Sequence, residues 1–201
     1  EIKRISFSEF KNWKECSYRH HLIYIKKIPY FSTNEYTAFG TAMHTSCEQI
    51  MLGEECDPYQ VFQEKFLEEL KDIKEEKQKL NKDLILEMRE QAKVICTQIL
   101  PEVQKYFGDF ELISVEEQLL EPISEFESYG KSFKGFIDLV IKTPDDKYHI
   151  IDWKTCSWGW NSAKKSDPIV NYQLTYYKNY FAKKHNIESS KIEAYFILLK
   201  R

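Results

Sequence analysis

The chain of 201 residues is long enough to bury one substantial core, and nothing in its length demands a second domain. Its 42% hydrophobic and 15% aromatic content excludes a disordered chain, and the lack of any apolar run of spanning length excludes a transmembrane helix. A net charge of −3, from 29 basic and 32 acidic residues, gives no global attraction to nucleic acid, so any such contact requires a local basic surface.

The opening Glu-Ile-Lys-Arg-Ile-Ser has no apolar segment leading to a cleavage site, so a cytoplasmic location without membrane association is expected. Ser6 and Glu9 have capping-box spacing ahead of Phe7, Phe10, Trp13 and Tyr18. This predicts a short helix with an aromatic inner face, in a region closed by Lys26, Lys27, Ile28 and Pro29. Small and apolar residues at helical spacing predict a second helix over 38–51, with His44 in its middle and Gly53 as its stop. Residues 58–107 are rich in Glu, Lys, Leu and Gln, with Val61, Phe62, Phe66 and Leu70 at three-to-four spacing. They predict one or two long helices, broken at Asn81 and kinked or restarted at Pro101, with the charge run over 71–82 as a solvated face.

Beyond Gly108 the texture changes to strands, predicted over 112–120, 132–141 and 148–153. Thr143-Pro144-Asp145-Asp146 is a turn, because proline presets its own φ and aspartate caps its neighbours, so the last two strands should form a hairpin. A helix over 172–184 and a strand over 192–199 close the chain. The expected architecture is a single α/β domain over 1–201, with a mixed, mostly antiparallel central sheet flanked by helices and a helical insertion at about 58–107. Cys16, Cys47, Cys56, Cys96 and Cys156 are odd in number and form no C-x-x-C pair, so they read as reduced thiols.

The strongest local feature is Ile150-Ile151-Asp152-Trp153-Lys154-Thr155, in which alternation points Asp152 and Lys154 to one face and the Trp153 indole to the other. Across the hairpin, Gly135-Phe136-Ile137-Asp138 sets Asp138 among residues that would otherwise be buried. Paired carboxylates in a sheet are tolerated when a cation neutralises them, and hard oxygen ligands suit Mg²⁺ or Mn²⁺. Phosphodiester hydrolysis needs an activated water and relief of negative charge on the phosphate, and a metal with a lysine beside it supplies both. Asp138 and Asp152 would hold the ion, with the Trp153 backbone carbonyl as a further ligand.

G-x-x-D followed by D-x-K-T resembles the PD-(D/E)XK nuclease superfamily, whose core is the restriction-endonuclease-like fold. Two further motifs are similar to its RecB-like branch. Gly40-Thr41-Ala42-Met43-His44 resembles the branch's G-x-x-x-H helix, which implies His44 as a metal ligand. Gln173-Leu174-Thr175-Tyr176-Tyr177 resembles its Q-x-x-x-Y helix, which implies that Gln173 and Tyr177 contact DNA or order the lysine. Ser6, Ser8 and Cys16 through Arg19 are similar to its N-terminal segment. The family's acid on the preceding strand falls at Glu116 or Glu117: the family pattern favours Glu116, and alternation with Val115 and Leu119 favours Glu117. Relatives that carry an iron–sulfur cluster use cysteines beyond the Q-x-x-x-Y helix, where this sequence has none, so no such cluster is expected within these residues and Cys16 reads as a small buried hydrophobe.

The resemblance implies a Mg²⁺- or Mn²⁺-dependent deoxyribonuclease, with exonuclease action on single- or double-stranded DNA ends in recombination, repair or phage DNA processing. A helicase or annealing protein is an implied partner, the host cytoplasm an implied location if the source is viral, and the insertion an implied wall over the DNA channel. Structure-specific endonuclease action and a catalytically silent DNA-binding scaffold are the alternatives. Lys164 and Lys165 are candidates for phosphate contact, and Trp158 and Trp160 for base stacking. Lys3, Arg4, Lys26 and Lys27 are weaker candidates. Alone, His44 reads as a packing histidine and the tyrosines of the last helix read as core; the order of four motifs on the expected elements makes the case.

Overall fold

The computed structural model describes residues 3–28, 33–75 and 79–201. Pro29, residues 76–78 of the charge run and the side chain of Lys3 lie outside the described residues. Strand β1 (Lys3–Ser6) is only four residues long and has no counterpart in the sequence pattern. It leads into α1 (Phe7–Glu15) through Ser6, whose hydroxyl accepts the Glu9 N–H at 3.2 Å. Trp13 and, in α2 (Ser17–His20), Tyr18 are exposed, so the aromatic inner face is narrower than expected. Cys16 is also exposed rather than a buried hydrophobe: it stands at the break between the two helices, where its sulfur accepts the Arg19 N–H at 3.4 Å.

After a π turn (His21–Ile25), α3 (Glu35–Leu52) starts at a reciprocal capping box between Asn34 and Thr37 and stops at Gly53 in the left-handed conformation. Helix α4 (Pro58–Glu75) follows, and α5 (Lys82–Phe107) begins with Asn81 as its cap and runs through Pro101. Strands β2 (Glu111–Pro122), β3 (Lys131–Lys142) and β4 (Tyr148–Cys156) form the expected meander. The short α6 (Ser162–Lys165), then α7 (Pro168–His185), capped by Asp167, and β5 (Ile192–Lys200) complete the fold.

The sheet is mixed, with β2–β3 and β3–β4 antiparallel and β1–β3 and β4–β5 parallel. Strand β2 occupies one edge of β3 from Ser132 to Lys142. The other edge is shared: β1 takes Lys131 to Lys134 and β4 takes Leu139 to Lys142. Residues 135–138 therefore form a notch in the ladder, open on that edge.

Each face of the sheet carries its own core. On one, α3, α4 and α5 pack Phe39, Met43, Phe62, Phe66, Met88 and Ile99 against Leu139, Ile141, Ile151 and Trp153. On the other, Tyr177 and Phe181 of α7 meet Leu119, Phe133, Ile137, Val140 and Ile150. The insertion thus supplies about half of the α3-side core. No described residue of α4 or α5 lines the cleft at the notch. Apolar helix faces this wide are stabilised by burial against a sheet, not by standing over solvent.

Candidate active site

Register would set Asp138 opposite Asp152, one rung beyond the Leu139–Ile151 pair, but the two strands part there. Asp138 Oδ2 instead accepts the Trp153 N–H at 2.7 Å, satisfying a backbone donor at the point where the ladder opens.

The same rung disturbs both β3 and β2. Ile137 packs in the α7-side core and Leu139 in the α3-side core, although strict alternation would give both one face. On β2, Val115 joins the α3-side core and Leu119 the α7-side core. Between them Glu116, at the rung of Asp138, has φ +49°, a left-handed conformation that turns the strand out of phase. The slip brings Glu116 and Asp138 to His44 on α3. His44 Nδ1 lies 3.4 Å from Asp138 Oδ2, and one ligand atom from each of His44, Glu116 and Asp138 falls within 4.8 Å of the others.

Glu117 points the other way. Its carboxylate pairs with Lys184 at 2.5 Å and His185 at 2.9 Å, tying β2 to the end of α7. Burial raises its pKa, but the hydrogen bonds from Lys184 and His185 outweigh that and hold it below the usual value. Of the two glutamates left open by the sequence, Glu116 faces the notch and Glu117 does not.

On β4, Asp152 is 2% exposed and Lys154 Nζ lies 2.5 Å from its Oδ2. The other oxygen, Oδ1, accepts Gln173 Nε2 at 2.8 Å, and the same amide lies 3.1 Å from Tyr177 Oη. Gln173 and Tyr177, four residues apart, share the helix face turned to the notch. A Cβ on Gly135 would come within 2.9 Å of the Tyr177 ring, so the glycine of G-x-x-D is the seat of the tyrosine of Q-x-x-x-Y. At Gly40 the nearest contact would be Thr155 Oγ1 at 3.4 Å, which is close packing of α3 on β4 without a clash.

The electrostatics show negative charge in excess. Burial raises the Asp152 carboxyl above its ordinary pKa and Asp138 adds to this, against the pull of Lys154. Partial burial, then Asp138 and Glu48, raise Glu116. Burial alone would lower the His44 imidazole, but the hydrogen bond and charge of Asp138 override it and raise the pKa. Asp152 Oδ2 is buried at the notch, where Lys154 Nζ is paired with it. Three carboxylates with one lysine among them, two of them converging on an imidazole, are a donor set that fits a divalent cation.

Trp153 buries its indole in the α3-side core while its backbone N–H bonds Asp138 at the notch. The remaining sequence candidates sit apart. Trp160 packs on Phe196 at 4.9 Å with Lys164 over its ring at 4.7 Å, Lys165 is exposed, and Trp158 is 91% exposed. None of the four lines the cleft of about 590 Å³ at the notch. That cleft is bordered instead by Arg4, Lys134 and Phe136 as well as the residues above. Lys134 and Phe136 were not singled out by sequence, although their spacing of four and two residues from Asp138, on one face by alternation, was a usable signal. A separate apolar groove of about 500 Å³ between α5 and β5 contains no comparable group of ionisable side chains.

A family model described as the PD-(D/E)XK nuclease superfamily matches residues 4–201. The chain belongs to the PD-(D/E)XK nuclease superfamily. The five-stranded mixed sheet between helices is consistent with the restriction-endonuclease-like fold of that family. Membership implies metal-dependent nuclease activity with DNA as substrate, and the His44, Glu116 and Asp138 cluster is the candidate metal site. Among curated proteins, none matches the chain. No helix of the described residues is long and apolar enough to cross a membrane.

Proposed function

We propose that this PD-(D/E)XK nuclease is an exonuclease of the RecB-like branch, hydrolysing DNA from its ends in recombination, repair or phage DNA processing. The observation that supports it best is the meeting at one notch of His44, Glu116 and Asp138 with Asp152, Lys154, Gln173 and Tyr177. A helix-borne histidine and a Q-x-x-x-Y helix are the features that tie the resemblance to that branch. Residues 1–201 act as one domain, in the cytoplasm.

His44, Glu116 and Asp138 would hold Mg²⁺ or Mn²⁺, with Asp152 Oδ2 and the Trp153 carbonyl as further ligands. When bound, the ion supplies a water acidic enough to attack at neutral pH and a Lewis acid for a phosphoryl oxygen. The chain's own residues do the rest. Lys154 places an ammonium where negative charge grows on the phosphate, and its pairing with Asp152 fixes it there. Gln173 holds Asp152 through Oδ1, leaving Oδ2 directed to the notch, and Tyr177 on Gly135 sets the position of Gln173.

Linear and covalently closed circular DNA incubated with Mn²⁺ or Mg²⁺ tests this. Exonuclease action degrades the linear form and spares the closed circle, and Asp138→Ala abolishes it. Cleavage of the closed circle would establish endonuclease action instead, and no metal-dependent loss of either DNA would leave a silent scaffold.

A further inference from the structure

We infer that the bare sheet face beside the metal cluster is a platform for an unpaired stretch of DNA, with a base stacked on Phe136 and phosphates held by Lys134 and Arg4. This rests on the nuclease function proposed above and names its substrate class: DNA presenting a single-stranded end at the notch.

The placement follows from alternation. Phe133 and Ile137 point into the α7-side core, so Lys134 and Phe136 point to the opposite face. Arg4 pairs with Ser132 in parallel register and shares that face. The helices there pack against β3 at Leu139 and Ile141, beyond the notch, and leave Phe136 41% exposed. Gln118, the partner of Phe136 on β2, is exposed as well. The ring therefore lies open at the edge of the cleft, free to be covered by a ligand.

The chemistry around it identifies the cover. Lys134 Nζ lies 5.2 Å from the Phe136 ring centroid, and neither Lys134 nor Arg4 has an ion pair among the described residues. An aromatic face with two unpaired cations in line beside it is the combination that binds single strands, since every base offers a π-face and every nucleotide a phosphate. Phe136 is two residues from Asp138, about 7 Å along the strand, so a base stacked there belongs to a nucleotide within one or two of the scissile phosphate. A duplex keeps its bases stacked inside and offers none to the ring. Trp158, though more exposed, lies outside the cleft and has no such relation to the acids.

The test is binding of a 12-nucleotide oligothymidylate and of a blunt 12-base-pair duplex, read by fluorescence anisotropy in EDTA so that no strand is cut. Phe136→Ala weakens single-strand binding about 10-fold or more and leaves duplex binding unchanged, while Phe136→Trp retains it. Arg4→Gln and Lys134→Gln each flatten the dependence of single-strand affinity on salt, by about 0.7 in the log–log slope. Melting and Mn²⁺ calorimetry that match the wild type certify that Phe136→Ala is folded. Equal single-strand affinity in wild type and Phe136→Ala, equal losses on both DNAs, or no single-strand binding by the wild type overturns the platform. Cleavage assays on the wild type separate the two claims: a protein that cuts DNA without needing Phe136 for single-strand binding refutes the platform alone. One that binds through Phe136 yet never cuts refutes the nuclease function alone.

Discussion

The two ends of the β3–β4 hairpin treat their acids in opposite ways. At the turn, Asp146 pairs with Lys142 at 2.7 Å and Lys191 at 2.5 Å, which pull its carboxyl down to about 2. Glu193 alongside is paired to Lys147 at 2.7 Å and is likewise lowered. At the notch, burial and mutual repulsion raise Asp152 and Glu116, and Lys154 is the cation beside them. The chain supplies counter-charges where nothing needs to bind. At the notch it withholds them, and the deficit is what a divalent cation and a phosphate can share.

The sharpest way to break this contrast is to delete acids at either end. Asp138→Ala or Glu116→Ala is expected to lower DNA cleavage on the order of 10²–10³-fold or more, with Mn²⁺ binding lost in calorimetry. Asp146→Ala at the turn should leave the rate within about 2-fold. A comparable rate loss at the turn would mean that the notch is not special. Lys154→Ala should lose cleavage on a similar scale while still binding Mn²⁺. If calorimetry showed the metal gone too, the lysine would be holding the site together instead of serving the phosphate.

Next in size is the seat of the tyrosine. Gly135→Ala drives a Cβ into the Tyr177 ring and should destabilise the fold by about 1–3 kcal/mol in urea melts, whereas Gly40→Ala should be nearly neutral. Equal melts for both would remove the steric link between the two motifs. Glu117→Ala should cost about 1–2 kcal/mol by loosening α7, yet leave metal affinity intact, a clean opposite to Glu116→Ala.

The smallest effects are in pH. Because His44, Glu116 and Asp152 all hold protons above their ordinary pKa, Mn²⁺ must displace protons to bind. Affinity should rise as pH increases from about 6 to 8, with proton release visible as a buffer-dependent heat. For the fold itself the two ends have opposite signs. The raised Asp152 favours the metal-free fold at low pH and loses that contribution as pH rises through its folded pKa. The lowered Asp146 contributes above its unfolded value of about 3.9 and loses it as pH falls toward 2. Asp146→Asn should therefore flatten the acid limb of the stability curve, and an unchanged acid limb would show the turn pairs to be idle.

Much of this was legible because it rests on periodicity. The hairpin from Thr143-Pro144-Asp145-Asp146, the common face of Asp152 and Lys154 and the burial of Trp153 all follow from alternation, and Asn81 is a cap where the composition set a break. Alternation misled where the backbone leaves it. The left-handed φ of Glu116 reverses the faces of β2, so counting from Leu119 selects Glu117, and no residue type in Val115-Glu116-Glu117 announces that turn. The position of α4 and α5 was illegible for another reason: an amphipathic stripe says that a helix is covered, not which side of the sheet covers it. Nor does the chemistry of Trp13, Tyr18 or Cys16 disclose that each stands at the surface.

The conformation of Glu116 has a consequence for anyone who selects this protein for heat resistance. A glutamate in left-handed backbone costs about 1–2 kcal/mol that a glycine would not, and its carboxyl adds further repulsion beside Asp138. Glu116→Gly is therefore a mutational step toward a hardier chain, and it removes a ligand of the candidate metal site. Variants gathered by thermal screening alone should drift toward sturdy, inert proteins, and a glycine at position 116 would be one mark of that drift.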